Sequence, residues 1–183
     1  MTPHAKAWQK TAIAGPDQGV AVFDPAVVAS IIKDAERPVL VLGATCLEKM
    51  VGEELYIDVL LQLAETASIP IVATAHSNKH IAEKGFSAVP VVVMPMVNLI
   101  NRLEDDRTWE GLDGKGKPDL VIYAGVTTYY LSQMLSSNKN FSEGLKTLTL
   151  DNEFQPNARF SVGNLSKEEF KAFLDALIEK LSK

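Results

Sequence analysis

The sequence predicts a three-layer α/β fold, in which helices cover both faces of a parallel sheet of about six strands. Two observations lead to this prediction. Short, fully apolar runs alternate along the chain with longer segments whose apolar residues recur at helical spacing. Strands that alternate with helices are joined by crossover connections, which make the strands parallel and cover the sheet on both sides. The 183 residues, 46% of them hydrophobic, suffice for one domain with a sizeable core.

Each predicted element has a local reason in the sequence. Asp24 can cap a first helix that opens at Pro25, where the missing N–H costs nothing. Ser166 and Glu169 form a capping box before the last helix. The predicted strands are the apolar runs at 39–42, 71–74, 89–93, 120–124, 147–150 and 158–162. The other predicted helices lie at about 53–67, 77–83, 96–103 and 128–136.

The composition narrows the classes of partner. A net charge of −5 offers no broad basic surface for nucleic acid or for an anionic membrane. The longest apolar stretch, residues 89–97, is far shorter than the ~20 residues that span a bilayer. The N-terminus shows no apolar run behind its positive charges, as a secretory signal would. We therefore expect a cytoplasmic protein that binds neither nucleic acid nor membrane, with an N-terminal arm at 1–20 and one domain at 21–183.

Three segments follow predicted strands, at 43–45, 125–128 and 151–166. They lie at the edge where doubly wound sheets bind their ligands. Each offers a small or polar residue that lets backbone N–H groups approach an anion, and the Asp151 carboxylate could accept a hydrogen bond from a ribose. The alternative is ordinary turn chemistry, because glycine and Asx residues are common in loops and no GxGxxG or GxxxxGK[ST] motif occurs. The predicted ligand-binding residues are Gly43, Ala44, Thr45, Gly125, Val126, Thr127, Asp151, Asn157, Gly163 and Asn164.

Candidate catalytic and metal-binding residues are weaker. His76 and His80 lie four residues apart, but without an HExxH motif they are better interpreted as an exposed helical pair. Cys46 could be an activated thiol at a helix start, although a lone cysteine is more often a small buried hydrophobe. A single cysteine cannot hold an iron–sulfur cluster, which takes about four thiolates. We therefore predict no catalytic residue and no metal ligand on this chain.

Two segments are candidates for contact with a large partner. The predicted arm carries Trp8 and Ile13 among polar residues, and the turn at 107–119 presents Trp109 and Leu112 between glycines. Aromatic residues on loops are typical anchors of interfaces. The alternative, that both tryptophans pack onto their own domain, stays open from the sequence.

Several segments together resemble a known family. They read RPVLVLG at 37–43, WEGLDGKGKPDLVIYAG at 109–125, YYLSQMLSSNKNFSEGLKTLTLDN at 129–152 and NARFSVGNLSK at 157–167. From about Asp24 to the C-terminus, the chain resembles the epsilon subunits of the archaeal acetyl-CoA decarbonylase/synthase complex. The segment 84–107 departs from the family pattern, since it is richer in valine and methionine.

This resemblance implies a partner and a role. The epsilon subunit pairs with the alpha subunit, which carries a nickel–iron–sulfur centre, to form the α2ε2 carbon monoxide dehydrogenase component of the larger complex. Its fold resembles the Rossmann-like domain that holds the nucleotide half of FAD in thiamine-diphosphate enzymes and electron transfer flavoproteins. The resemblance implies that the chain stabilises this assembly or helps to pass electrons to FAD. The alternative is a free-standing FAD- or dinucleotide-binding module for electron transfer.

For a bound FAD, we expect the adenosine half near Gly43, Gly125 and Asp151, with the segment 157–164 closing over it. A cleft plugged by side chains such as Phe154 and Arg159 would favour a pure scaffold. An open cleft with free N–H groups would favour a cofactor.

Overall fold

The computed structural model describes residues 18–104 and 108–183 and confirms the predicted three-layer α/β architecture. The strands are β1 Val20–Val22, β2 Pro38–Leu42, β3 Met50–Val51, β4 Glu54–Leu55, β5 Ile71–Ala73, β6 Val91–Val93, β7 Leu120–Ala124, β8 Lys146–Thr149 and β9 Phe160–Val162. The helices are α1 Pro25–Lys33, α2 Tyr56–Thr66, α3 Ala75–Glu83, α4 Met96–Glu104, α5 Thr128–Phe141 and α6 Lys167–Leu181. A short 3₁₀ turn, Ala44–Leu47, follows β2.

The main sheet has seven parallel strands in the order β1-β9-β8-β7-β2-β5-β6. From β2 the chain builds outward through β5 and β6 on one side, and then through β7, β8 and β9 on the other. This is the doubly wound Rossmann order, extended at one edge by β1. The order reverses between β2 and β7, and ligands of such sheets bind outside the carboxyl ends of the strands at this switch point.

The two faces of the sheet are covered by different helices. Alternate residues of β2, such as Leu40 and Leu42, face a core formed with α1, α2 and α6. The intervening residues, Val39 and Val41, face a second core formed with α4 and α5. This period of two follows from the geometry of a strand, and burial on both faces explains why the central strands are continuously apolar.

Some elements were not predicted. Strand β1 lies at residues 20–22, where we placed the end of the arm, and it is recruited by parallel pairing with β9. The antiparallel pair β3–β4 occupies the start of the predicted helix at 53–67, so α2 begins at Tyr56. Both features depend on partners distant in sequence or on a turn at Gly52, whose φ is +65°. Trp8, Ile13 and the rest of residues 1–17 lie outside the described residues.

The turn that carries Trp109 packs against its own domain. Trp109 and Leu112 are half-buried against the α4–α5 core. Arg37 donates from Nε to the carbonyl of Gly116 and pairs with Asp113. These contacts support intramolecular packing of this tryptophan, and contact with a partner stays a prediction. No helix in the described part of the chain is long and apolar enough to cross a membrane.

At the switch point, the turns after β2 and β7 touch through their backbones. A Cβ on Gly43 would lie 2.1 Å from the carbonyl oxygen of Gly125, and one on Gly125 would lie 2.5 Å from the Cβ of Cys46. Gly43 N–H donates to the Ala124 carbonyl and Thr45 N–H to the Gly125 carbonyl, each at 2.9 Å. The contact between the turns after β2 and β7 therefore requires that residues 43 and 125 have no side chain.

We expect Gly125→Ala to lower the free energy of unfolding by about 2–5 kcal/mol, because it combines a left-handed φ with overpacking against Cys46. Gly85→Ala is the matched control. Its φ of +64° is nearly the same as the +66° of Gly125, but a Cβ there meets nothing within 4 Å. The control should lose about 1–2 kcal/mol. Urea unfolding of both variants measures the difference, and equal losses would contradict a packing role for Gly125.

Candidate ligand cleft at the carboxyl edge of the sheet

A cleft opens beside the switch point, between the ends of β2, β7 and β8. Its volume is about 360 Å³. The 3₁₀ turn forms one wall, the start of α5 forms a second, and the segment after β8 forms the third. The lining residues are Thr45, Glu48, Lys49, Val126, Thr127, Thr128, Asp151, Asn152 and Glu153.

Asp151 joins two walls of the cleft. Its carboxylate oxygens accept from the N–H of Gly125 at 3.2 and 3.1 Å, and one of them lies 3.6 Å from the Lys49 ammonium. The side chain is only 15% exposed. Burial disfavours the charged form and raises the pKa of Asp151 to about 6, although Lys49 and the Gly125 N–H act in the opposite direction.

Lys49 is held on several sides. Its ammonium donates to Oδ1 of Asn152 and lies 4.9 Å from the ring centroid of Tyr56 and 4.6 Å from that of Phe170. Such positions over aromatic faces attract a cation. The Tyr56 hydroxyl in turn donates to the Leu150 carbonyl at 3.1 Å. Lys49 therefore ties the first turns of α2 and α6 to the end of β8.

A second, larger groove adjoins the cleft and shares Glu48, Lys49 and Asn152 with it. The groove has a volume of about 780 Å³ and runs between the β3–β4 hairpin and α6. Met50, which is 49% exposed, lines it. Lysine and carboxylate side chains alternate along its wall, and Lys171 pairs with Asp175 at 2.7 Å. The groove therefore carries no strong charge of either sign.

The structure brings together only part of the predicted ligand-binding set. Thr45, Val126, Thr127 and Asp151 line the cleft. Gly43 and Gly125 form the backbone contact behind it, and Ala44 is exposed in the adjoining turn.

The other three predicted residues lie elsewhere. The Gly163 Cα faces the Phe23 ring, and Asn164 accepts from the Phe154 N–H at 2.9 Å. Asn157 precedes β9 and lines a cavity at the amino edge, where its amide donates to Ser132. The segment 157–164 therefore does not close over one site as we expected, because β9 carries the chain from one edge of the sheet to the other.

Glu48, Lys49 and Glu153 line the cleft but were not predicted from the sequence. Glu48 and Lys49 lie within four residues of Thr45, and Glu153 lies two residues after Asp151. Closeness in sequence to predicted ligand-binding residues is therefore the signal that could have indicated them. Glu153 accepts from the Thr128 hydroxyl at 2.6 Å and thereby joins α5 to the segment after β8. Phe154 and Arg159 do not line the cleft, which is open.

The switch point does not fit the pyrophosphate of a dinucleotide. Pyrophosphate binding in this fold uses free N–H groups at a glycine-rich turn and a helix start. Here the N–H groups of Gly43, Thr45 and Gly125 donate to the protein itself. The position where the backbone would approach a pyrophosphate is filled by the contact between the turns after β2 and β7.

Comparison with known proteins places the chain in a family. The family described as CO dehydrogenase beta subunit/acetyl-CoA synthase epsilon subunit matches residues 1–180. The chain belongs to this family. This confirms the resemblance seen in the sequence.

Relatives with the same subunit name cover most of the chain. The acetyl-CoA decarbonylase/synthase complex subunit epsilon of Methanothermobacter thermautotrophicus is 35% identical over 170 residues, which are 93% of this chain and 92% of that protein. Subunit epsilon 1 of Archaeoglobus fulgidus is 38% identical over 159 residues, or 86% and 82% of the two chains. Subunit epsilon 1 of Methanosarcina barkeri is 36% identical over 157 residues, or 86% of each.

In this epsilon-family chain, His80 and Cys46 are engaged by other groups of the chain, whereas His76 is exposed. His80 Nε2 lies 2.9 Å from Oδ1 of Asp58, and Oδ2 of the same carboxylate accepts from the Lys84 ammonium at 2.9 Å. Cys46 is buried, donates to the Gly43 carbonyl at 2.7 Å, and has its pKa raised to about 12 by burial. Within residues 18–104 and 108–183, no group of three or more His, Cys, Asp or Glu residues could hold a metal ion.

Asp151→Asn should change how stability depends on pH. The folded-state pKa of about 6 exceeds the ordinary 3.8, so Asp151 favours folding below pH 4, and this contribution is lost as the pH rises through 6. Relative to the variant, the wild type should therefore gain up to about 3 kcal/mol between pH 7 and pH 4. Urea unfolding across this range measures the difference. Parallel profiles for the two proteins would contradict the assignment.

Proposed function

We propose that this chain is a non-catalytic epsilon subunit that docks on the alpha subunit of carbon monoxide dehydrogenase and stabilises an α2ε2 assembly within the acetyl-CoA decarbonylase/synthase complex. The observation that carries the proposal is the family match over residues 1–180, with relatives named as subunits of that complex. The single cysteine is consistent with metal clusters on another chain. The assembly would lie in the cytoplasm.

An exposed aromatic side chain beside the cleft supports docking at this edge. Tyr129 is 74% exposed at the start of α5, whereas Phe141, which is 68% exposed, lies at the far end of the same helix. Aromatic anchors of this kind dominate the binding energy of many interfaces. Tyr129 directly follows Thr127 and Thr128, which line the cleft, so docking at this edge would cover the cleft.

Mixing the purified full chain with the alpha subunit should give a 2:2 complex by size-exclusion chromatography with light scattering. It should also raise the unfolding midpoint of the alpha subunit, because a partner that binds the folded state stabilises it by mass action. Tyr129→Ser should weaken binding at least about tenfold, as expected for an interface anchor. Phe141→Ser is the matched control at the opposite edge and should bind like the wild type.

Two results would contradict this proposal in different ways. If the alpha subunit assembles, resists heat and oxidises carbon monoxide equally well without this chain, the stabilising role is wrong. If Tyr129→Ser binds normally while Phe141→Ser does not, the docking edge is wrong and the docking itself stands.

A second role is favoured by the open cleft in a sheet of Rossmann order. We propose that the assembled complex assists electron transfer to FAD, with the adenosine half of FAD in the cleft of this chain. Because the switch point does not fit a pyrophosphate, the diphosphate and the flavin would be held outside this chain, at the interface with the alpha subunit. A flavin supplies one- and two-electron chemistry when it is bound.

Equilibrium dialysis with FAD tests the second role, with the chain alone and in complex with the alpha subunit. We expect FAD to bind the complex and to bind the isolated chain weakly, because the N–H groups of Gly43, Thr45 and Gly125 at the switch point already donate within the chain. The alpha subunit alone is the control for binding at its own surface. A complex that binds no more FAD than the alpha subunit alone would remove this role and leave docking untouched.

A further inference from the structure

The chain fills the position where a nucleotide fold of this order places a diphosphate. The turn after β2 is a four-residue 3₁₀ turn, Ala44–Leu47, rather than the start of a long helix. Gly43, just before this turn, and Cys46 within it pack against Gly125. The contact is so close that neither Gly43 nor Gly125 has room for a Cβ. Three of the N–H groups at this point, those of Gly43, Thr45 and Gly125, donate to Ala124, Gly125 and Asp151.

The charge of the cleft also opposes a diphosphate. Glu48, Asp151 and Glu153 line it, and Lys49 is the one cationic side chain among the described residues of its lining. The Lys49 ammonium is already engaged by Asp151, Asn152 and two aromatic rings. The start of α5 adds the positive end of a helix, equivalent to about half an elementary charge, which is less than the negative excess of the side chains.

The remaining chemistry suits an uncharged, hydroxyl-rich ligand. The hydroxyls of Thr45 and Thr127 can donate or accept, and the Thr128 hydroxyl, which donates to Glu153, can accept. Val126 offers an apolar surface for the face of a ring. The carboxylates of Asp151 and Glu153 each have about four lone-pair positions, more than their present contacts use. They can therefore accept from ribose hydroxyls and from the amino group of a base.

We propose that the cleft is a nucleoside site that takes the ribose and base of an adenine nucleotide and excludes its diphosphate, an inference that rests on the second proposed role. The preference between a nucleoside and its diphosphate is then the reverse of that in a Rossmann fold that binds the phosphates. The isolated chain prefers adenosine to ADP, and counter-charges for the phosphates come from the partner.

Calorimetric titration of the full chain with adenosine and with ADP tests this. We expect adenosine to bind, with amide NMR shifts concentrated at Thr45, Gly125 and Thr127. ADP should bind at least about tenfold more weakly, because its phosphates meet the like charges of Glu48, Asp151 and Glu153. The double variant Glu48→Gln/Glu153→Gln should narrow this ratio by raising the affinity for ADP.

Glu65→Gln/Glu83→Gln is the matched control, since it removes the same charge from exposed positions outside the cleft. It should leave the ratio of the two affinities unchanged. ADP that binds as tightly as adenosine would overturn the inference while the second role stands. If neither ligand binds the chain, or if adenosine shifts amides away from the cleft, the inference is overturned. FAD dialysis of the complex then decides the second role separately.

Discussion

The structure depends on one backbone contact, between the turns that follow β2 and β7. Gly43 and Thr45 donate across it, and Gly125 both accepts from Thr45 and donates to Asp151. These bonds join the two strands between which the chain reverses direction along the sheet. Because neither glycine has room for a Cβ, the contact is a constraint on residue type as well as on shape. It also fixes where Cys46 and the cleft lie.

The charge pair of Asp151 and Lys49 extends this contact to the helices. Taking a carboxylate and an ammonium out of water is costly, so such a pair contributes through its hydrogen bonds and through the order it imposes. Lys49 reaches the aromatic rings of α2 and α6, and the Tyr56 hydroxyl returns to the end of β8. These contacts therefore fix the positions of two residues that line the cleft, Asp151 and Lys49.

The elements that were predicted correctly are those whose local sequence pattern determines their structure. The run at 120–124 is strand β7 to the residue, because a central parallel strand must be apolar on both faces. The β1 strand and the β3–β4 hairpin were missed because each is too short to show a period and forms through pairing. Lys49 was missed because its partners, the Phe170 ring and the Asp151 carboxylate, are distant in the chain.

Asn157 shows why a site cannot be assembled from sequence position alone. The sequence predicts that the segment 157–164 closes over one site, yet three of its residues form β9, so its two ends lie at opposite edges of the sheet. The fold thus keeps the strand order of a nucleotide-binding domain while its turns donate their N–H groups to each other. A chain built in this way keeps a polar cleft at the carboxyl edge of the sheet, with Tyr129 exposed beside it. The backbone contact that removes the diphosphate position therefore leaves this edge available for the docking that we propose.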